Sequence, residues 1–363
     1  MIRTYEESFL DDIIRNADQD APRLIYADWL EEQGQLERAE FIRLQCRLAS
    51  HEMIEEDRGR LVARVNDLLG RFSELWRAEL PVLPGVIWED FQRGFIESVQ
   101  VLDVDLFLEH VTTLFAAAPI RILRLNTVDD AAVERLCQEP ALRQLYELNL
   151  GNCPGLGIRG VRTLSRCRHL SGLRSLLLHY GNLGDLAVME LGQATCLTNL
   201  RELYVSGNDL TDRAVLVLAN SNGFPHLREL DLRDNRIGDL GVCALACSPQ
   251  RNTLETLYLV NNRIGPEGAA ALADSDHLRR LQRLYLNYNA IGDQGAIAFA
   301  RTPQRRSLVE LDLRQASIRD PGGVALAQSS CLDGLQQLWL GGNRLGNRTR
   351  ELLRHRFGSR VRL

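Results

Sequence analysis

Aromatic and charged side chains recur at intervals of 27 residues along the back two thirds of the chain, and they are of kinds that bind other molecules. At one position of the interval stand Tyr204, Asp231, Tyr258, Tyr285, Asp312 and Trp339. Arg233 and Arg314 follow the aspartates by two residues, and Tyr288 follows Tyr285 by three. Tyrosine and tryptophan give a large contact area at a small entropic cost, while arginine and aspartate add specificity. We therefore predict that these nine residues bind a protein partner.

The alternative role of these residues is structural. Aromatic side chains and neighbouring Asp and Arg side chains can stabilise a parallel sheet by pairing across adjacent strands. Nine such strands would form an edge of about 38 Å, which is long enough for a folded partner. The spacing alone leaves both roles open.

The motifs of common enzyme classes are missing from the sequence. No phosphate-binding glycine loop ends in lysine, because the chain contains no lysine, and neither a nucleophile elbow nor an HExxH motif occurs. Cys243 and Cys247 would share a helix face, but without a second ligand pair they are a weak metal signal. We expect a non-enzymatic protein without a metal or cofactor.

The elements that position the binding residues follow from one frame, LRELDLRDNRIGDLG, at residues 227–241. The same frame begins at Leu173, Leu200, Leu227, Leu254, Leu281, Leu308 and Leu335, and looser copies begin at Ile120 and Leu145. Leu230 and Leu232 are two residues apart, which places both on one face of a short strand and Asp231 on the other. Stacked copies predict parallel strands with leucines inward.

Three further positions of the frame predict how each strand connects to a helix. A side-chain amide at Asn235 and its equivalents can bond to backbone groups along the stack. Gly238 and its equivalents allow a tight bend, and the acidic residue that follows, such as Asp239, is placed to act as the N-cap of a helix. Small residues then let that helix pack closely on the strands.

These residues resemble the leucine-rich repeat family, in its ribonuclease-inhibitor-like class. The resemblance covers residues 96–363 and implies an α/β fold: a leucine-rich repeat solenoid, or horseshoe, with parallel strands on the concave face and helices on the convex face. It also implies capping segments at both ends of the array, and the helix and short strand expected after residue 346 fit such a cap.

A small all-α domain is expected ahead of the repeats. Apolar spacing predicts helices over residues 4–16, 22–33, 36–49 and 52–80, and the Pro- and Gly-containing segment 81–95 is predicted to connect this domain to the array. Residues 20–45, DAPRLIYADWLEEQGQLERAEFIRLQ, resemble the repeat-companion domain of bacterial repeat proteins. Arg23, Asp28, Arg38 and Glu40 within it could form salt bridges between the helices or a shared docking surface.

Composition and net charge restrict the kinds of partner and the cellular location that we expect. The net charge of −5 over 363 residues argues against nucleic-acid binding, which needs a basic footprint. The N-terminus lacks the apolar stretch of a signal peptide, and the eight cysteines form no disulfide framework. We therefore expect a cytoplasmic protein with no membrane contact that is monomeric on its own. The 43 basic residues are all arginine, which agrees with codon bias or with selection against lysine modification.

Three functions remain open from the sequence. The first is a recognition scaffold that binds a protein on the concave strand face. The second is an adaptor of a protein-modification or regulatory pathway, in which the repeats hold a substrate and the N-terminal helices dock an enzyme. The third is a GTPase-activating protein, which only the resemblance to ribonuclease-inhibitor-like arrays suggests.

Overall fold

The chain folds into two compact units in the computed structural model, which describes residues 5–50, 55–302 and 307–363. The first unit comprises residues 1–126 and 139–149, and the second comprises residues 127–138 and 150–363. The domain boundaries expected at residues 80 and 96 stay a prediction.

The described part of the first unit begins with the helices that the apolar spacing predicts. Its helices are α1 Tyr5–Arg15, α2 Ala21–Glu32, α3 Leu36–Ala49, α4 Glu55–Arg77 and α5 Val104–Ala117. Its strands are β1 Val86–Trp88, β2 Phe91–Gln92, β3 Phe95–Ile96, β4 Ser98–Asp103, β5 Ile122–Thr127 and β6 Glu147–Asn149. Residue 4 and residues 52–54 of the predicted helices lie outside the described residues.

The segment predicted as a connection, residues 81–95, supplies part of the core of the first unit. Strands β2 and β3 form an antiparallel hairpin in which Phe91 pairs with Ile96. Phe95 packs in a cluster with Tyr26 and Ile42, and Phe91 packs in a second cluster with Phe41. The helices thus bury their apolar faces against this hairpin as well as against each other.

Three of the four polar residues in the companion-like segment form ion pairs. Asp28 pairs with Arg43 at 2.6 Å, and Glu40 pairs with Arg64 at 2.7 Å, so both connect neighbouring helices. Arg23 is fully buried and pairs at 2.7 Å with Glu97, which follows β3. Arg38, in contrast, lies among aromatic rings.

The second unit consists of short parallel strands that alternate with helices. Its described helices are α6 Asp130–Leu136, α7 Ile158–Arg166, α8 Gly184–Leu191, α9 Asp212–Asn220, α10 Asp239–Ala246, α11 Pro266–Asp274, α12 Gly292–Arg301, α13 Asp320–Gln328 and α14 Asn347–Phe357. Its described strands are β7 Ser175–Leu177, β8 Glu202–Tyr204, β9 Glu229–Asp231, β10 Thr256–Tyr258, β11 Arg283–Tyr285, β12 Glu310–Asp312, β13 Gln337–Trp339 and β14 Val361–Arg362. Strand order follows chain order from β7 to β14.

Leucines at equivalent frame positions lie side by side in the sheet. Leu230 pairs with Leu257, and Leu257 pairs with Leu284, so the register equals the 27-residue step. These leucines are at most 1% exposed and form the inner layer. The period of two then directs the residue on either side of each leucine to the opposite face, which we call the strand face. Strand β14 adds to β13, where the predicted C-terminal cap ends.

Asparagine side chains bond along the stack, in agreement with the prediction from the frame. The Oδ1 atom of Asn235 accepts from the backbone N–H groups of Asn208 and Leu210 in the preceding repeat, at 3.1 and 3.0 Å. Its Nδ2 atom donates to the carbonyl of Val205 in that repeat at 3.2 Å and to that of Leu232 in its own repeat at 3.0 Å. One buried amide therefore completes the turns of two neighbouring repeats.

The aspartate after the turn does not cap its own helix, and that prediction was wrong. Asp212 is the first residue of α9, and its Oδ1 accepts from the N–H groups of Gly238 and Gly241 at the start of α10, at 2.7 and 2.9 Å. Asp239 makes the same two bonds to the start of α11. Each carboxylate supplies the cap of the next helix, where negative charge is favoured by the helix dipole.

Gly238, Gly265 and Gly346 of the frame serve this cap in an extended conformation, whereas the equivalent Gly292 is left-handed with φ 65°. Gly238 has φ −104° and ψ −163°, an extended conformation that other residues adopt readily. A Cβ atom on Gly241 would lie 2.7 Å from Oδ1 of Asp212, so a side chain there would collide with the cap. The left-handed residue comes earlier in the repeat, at Asp234 with φ 54° and at its equivalents.

Replacing Asn235 by alanine should lower the free energy of unfolding by about 3 kcal/mol, because several buried backbone groups would lose their partner at once. Urea denaturation followed by circular dichroism measures this loss. Asn252→Ala, at an exposed position, should change stability by less than about 0.5 kcal/mol. Equal effects of the two changes would contradict the role of the asparagine column.

Gly241→Ala should destabilise the protein by about 1–3 kcal/mol, although alanine normally favours a helix over glycine. The expected cause is displacement of the Asp212 carboxylate. Gly70→Ala in α4 is the matched change, because a Cβ there would meet no atom within 4 Å. It should stabilise the protein by about 0.5–1 kcal/mol. Thermal unfolding of both variants tests whether the two signs differ.

Candidate functional site

Six of the nine predicted binding residues form one row on the strand face. Tyr204 pairs with Asp231, which pairs with Tyr258, and Tyr258 pairs in turn with Tyr285. The row continues through Asp312 to Trp339. The in-register sheet therefore brings together six residues that are up to 135 residues apart in the chain, since 339 − 204 = 135.

Aromatic rings stack along this row. The rings of Tyr258 and Tyr285 lie 4.7 Å apart between centroids and are tilted by only 7°. The Trp339 ring lies 6.3 Å from that of Tyr285, so it reaches across the strand that carries Asp312. Stacks of this kind are attractive beyond their buried area, and they fix the orientation of the rings.

The two aspartates of the row are buried, and each holds an arginine at the surface. Asp231 and Asp312 are both 1% exposed, whereas Arg233 and Arg314 are 45% and 50% exposed. Arg233 donates from its backbone N–H, Nε and Nη2 to the Asp231 carboxylate at 2.7–3.0 Å. Arg314 binds Asp312 in the same way. The aspartate side chains are therefore inaccessible, and the arginines that they hold are the groups at the surface.

Two tyrosines of the row donate to glutamates of the next strand. The Tyr204 hydroxyl donates to Glu229 at 2.7 Å, and the Tyr285 hydroxyl donates to Glu310 at 2.5 Å. Burial and then these hydrogen bonds raise the pKa of both tyrosines above the usual range. Both hydroxyls are therefore neutral donors and are not poised to act as bases.

The same group of side chains occurs twice, and the sequence analysis missed this. Tyr204, Asp231, Arg233 and Tyr258 form the first group, and Tyr285, Asp312, Arg314 and Trp339 form the second. The groups are 81 residues apart, which is three repeats, or about 14 Å at the usual strand spacing. In the first group the Arg233 guanidinium lies 5.0 Å from the centroid of the Tyr258 ring. The order of the residues in the row was the signal that could have revealed it.

Tyr288 lies at the left-handed position that follows each strand. Its φ is 59°, and the equivalent residues are Asn152, Tyr180, Gly207, Asp234, Asn261, Gln315 and Gly342. Glycine, asparagine and aspartate tolerate this conformation, whereas a tyrosine in it is strained. At Tyr180 a hydrogen bond offsets part of this strain, because the tyrosine hydroxyl donates to Asp234 at 2.6 Å. Tyr288 has the same left-handed backbone, and the residue is 56% exposed.

Among the described residues, no group of three or more His, Cys, Asp or Glu side chains could hold a metal ion. Within the same residues, no helix has both the length and the apolar content needed to cross a bilayer.

Comparison with sequence families identifies the repeats. A model of two leucine-rich repeat copies matches residues 198–247, and a single-repeat model matches residues 250–273, 277–300 and 305–327. These residues are leucine-rich repeats. The parallel strands and alternating helices of the second unit accordingly form a leucine-rich repeat solenoid, as the sequence analysis predicts.

Two of the solved structures to which this chain is similar are internalins of the bacterium Listeria monocytogenes. An internalin InlF is 18% identical with a TM-score of 0.41, over 73% of this chain and 85% of that one. InlP is 16% identical with a TM-score of 0.37, over 60% of this chain and 65% of that one. No curated protein matches this chain by sequence at a significant level.

Tyr288→Gly should raise the free energy of unfolding by about 0.5–1 kcal/mol, because glycine relieves the left-handed strain. Tyr180→Gly is the matched change at the same position of an earlier repeat, and it should give a smaller gain or a loss because the bond to Asp234 disappears. Chemical denaturation of the two variants gives the comparison. A loss of stability in Tyr288→Gly would mean that the ring supports the fold.

Proposed function

We propose that this protein is a non-enzymatic recognition scaffold that binds a protein partner on the strand face of its leucine-rich repeats. The observation that carries the proposal is the repeated group of a buried aspartate, an exposed arginine and a flanking aromatic ring. The binding residues are Tyr204, Asp231, Arg233, Tyr258, Tyr285, Tyr288, Asp312, Arg314 and Trp339.

The arginines support a binding role because hydrogen bonds fix their side-chain conformations in the absence of a partner. Three donor groups hold each of Arg233 and Arg314 to a carboxylate, yet about half of each side chain faces solvent. Little side-chain entropy would then be lost on association. The ion pairs also neutralise the two buried carboxylates, while the exposed part of each guanidinium is accessible to a partner.

The strained backbone and the exposure of Tyr288 also support a binding role. It stands beside the row, one residue after Asn287, in a conformation that costs folding energy. Exposed tyrosine is favoured where a protein makes contacts, because its large ring has few rotatable bonds. Strain at an exposed aromatic residue is typical of a site kept for binding.

The two groups also limit the kind of partner. Each presents guanidinium N–H donors beside ring surfaces, so each suits a carboxylate or carbonyl group next to an apolar side chain. The separation of about 14 Å requires two such places on the partner. A protein surface provides both within one contact, and so does an extended segment of about four residues.

The triple change Tyr258→Ala, Tyr285→Ala and Trp339→Ala should weaken partner binding more than about 100-fold, because buried aromatic anchors dominate such interfaces. A photo-cross-linking amino acid at position 288 first captures the partner for identification by mass spectrometry. Calorimetry with the purified partner then measures the affinity of the variant, and circular dichroism checks its fold.

The matched control is on the helix side of the three preceding repeats. Leu186, Leu216 and Leu240 are exposed on α8, α9 and α10, and their combined change to alanine should leave affinity unchanged. Normal affinity of the partner for the strand-face variant, or an equal loss of affinity in both variants, would exclude the strand face as the binding site.

Two finer assignments belong to the proposal. The ribonuclease-inhibitor-like class is supported by the α-helix that every repeat from α7 to α13 contains. The repeat-companion domain is supported by α2 and α3, which span the matched segment. A cytoplasmic location and a monomeric state remain predictions from the sequence.

A further inference from the structure

A cavity of about 510 Å³ lies within the first unit, and none of the nine proposed binding residues lines it. Aromatic rings of Tyr26, Trp76, Phe91 and Phe95 line it, together with the side chain of Arg38. Its volume falls in the range of sites that bind small molecules, and apolar walls with a few polar groups are typical of such sites.

Arg38 is the unusual group in this cavity. It is 8% exposed, and its guanidinium carbon lies 4.7 Å from the centroid of the Trp76 ring and 5.3 Å from that of Phe91. Among the described residues its Nη1 atom has no hydrogen-bond partner. Burial lowers the pKa of Arg38 to about 10, and the nearby Glu79 carboxylate only partly opposes this effect.

Arg23, in the same unit, is a buried arginine whose two terminal nitrogens both have partners. Arg23 is fully buried, but its Nη2 pairs with Glu97 at 2.7 Å and its Nη1 donates to the Gln19 carbonyl at 2.8 Å. Ring faces attract the charge of Arg38, but they do not accept the N–H groups in the guanidinium plane. Its donors are therefore complementary to a carboxylate or carbonyl oxygen of a ligand.

The mouth of the cavity has the opposite charge. Glu6, Glu7 and Glu79 line it and are exposed, and the Tyr26 hydroxyl donates to Glu6 at 2.9 Å. A ligand that carried only an acid would be repelled by these carboxylates as it entered. A ligand with an ammonium group at its outer end would be attracted to them.

We propose that this cavity binds a small amphoteric molecule with a carboxylate at one end, an ammonium group at the other and an apolar body between them. The carboxylate meets Arg38, the body packs against Trp76 and Phe91, and the ammonium group meets Glu79 and its neighbours. The site is independent of the strand face, so either can fail without the other.

Three probes on the full chain test the ligand chemistry by calorimetry. They are 4-(aminomethyl)phenylacetic acid, which has both charged ends, 4-methylphenylacetic acid, which lacks the amine, and 4-methylbenzylamine, which lacks the acid. The first should bind at least about tenfold more tightly than either other probe, since two charged contacts replace one. Absence of binding by the first probe, or equal binding of the acid alone, would overturn the proposal.

Two variants test the residues. Arg38→Met should abolish binding of the first probe while the thermal midpoint stays equal or rises, because an apolar side chain of similar length replaces a buried unpaired charge. Glu79→Gln should weaken binding of the first probe about threefold to fivefold, and it should leave binding of the acid probe unchanged or make it tighter. Glu74→Gln, at an exposed position of α4, should change the binding of neither probe. Unchanged binding in Arg38→Met would refute the site. Should that variant not fold, the order of the probes and Glu79→Gln decide.

Discussion

Each repeat of the second unit depends on its neighbour for hydrogen bonds that it cannot make alone. The buried amide of Asn235 completes the turn of the preceding repeat, and the carboxylate of Asp212 caps the helix of the following one. Both bonds are short-ranged and directional, so they form only when adjacent repeats are in one register. A slip by one residue would leave buried amides and helix N-termini without partners, at a large cost in free energy.

This constraint gives the strand face its order. Because the register equals the repeat length, Tyr258 and Tyr285 come into contact as stacked rings. The same alignment places Arg233 of one repeat over Tyr258 of the next. A surface whose side chains are already held in this way can bind with little further ordering. The hydrogen bonds between adjacent repeats therefore stabilise the fold and also align the residues of the proposed binding site.

The first unit shows a different use of polar groups inside a fold. Arg23 and Arg38 lie on neighbouring helices and are both buried, but only Arg23 has a carboxylate partner. Arg38 instead faces a cavity with aromatic walls and an acidic mouth. Natural proteins leave few buried polar groups without partners, and the unpaired Nη1 of Arg38 coincides with a cavity, which is the observation that supports a second site.

The sequence by itself determined the repeat length, the inward leucines, the asparagine column and the row in which Tyr204, Tyr258 and Trp339 stand. These features follow from local periodicity, which every repeat displays independently. Only the tertiary structure decided that Asp212 caps the next helix, that Asp231 is buried beneath Arg233, and that Tyr288 adopts a left-handed conformation. Each of these depends on atoms from two repeats, or on a backbone angle that residue type alone does not fix. The cavity around Arg38 was hidden for the same reason, since its walls come from separate helices and a hairpin that meet only in the folded chain.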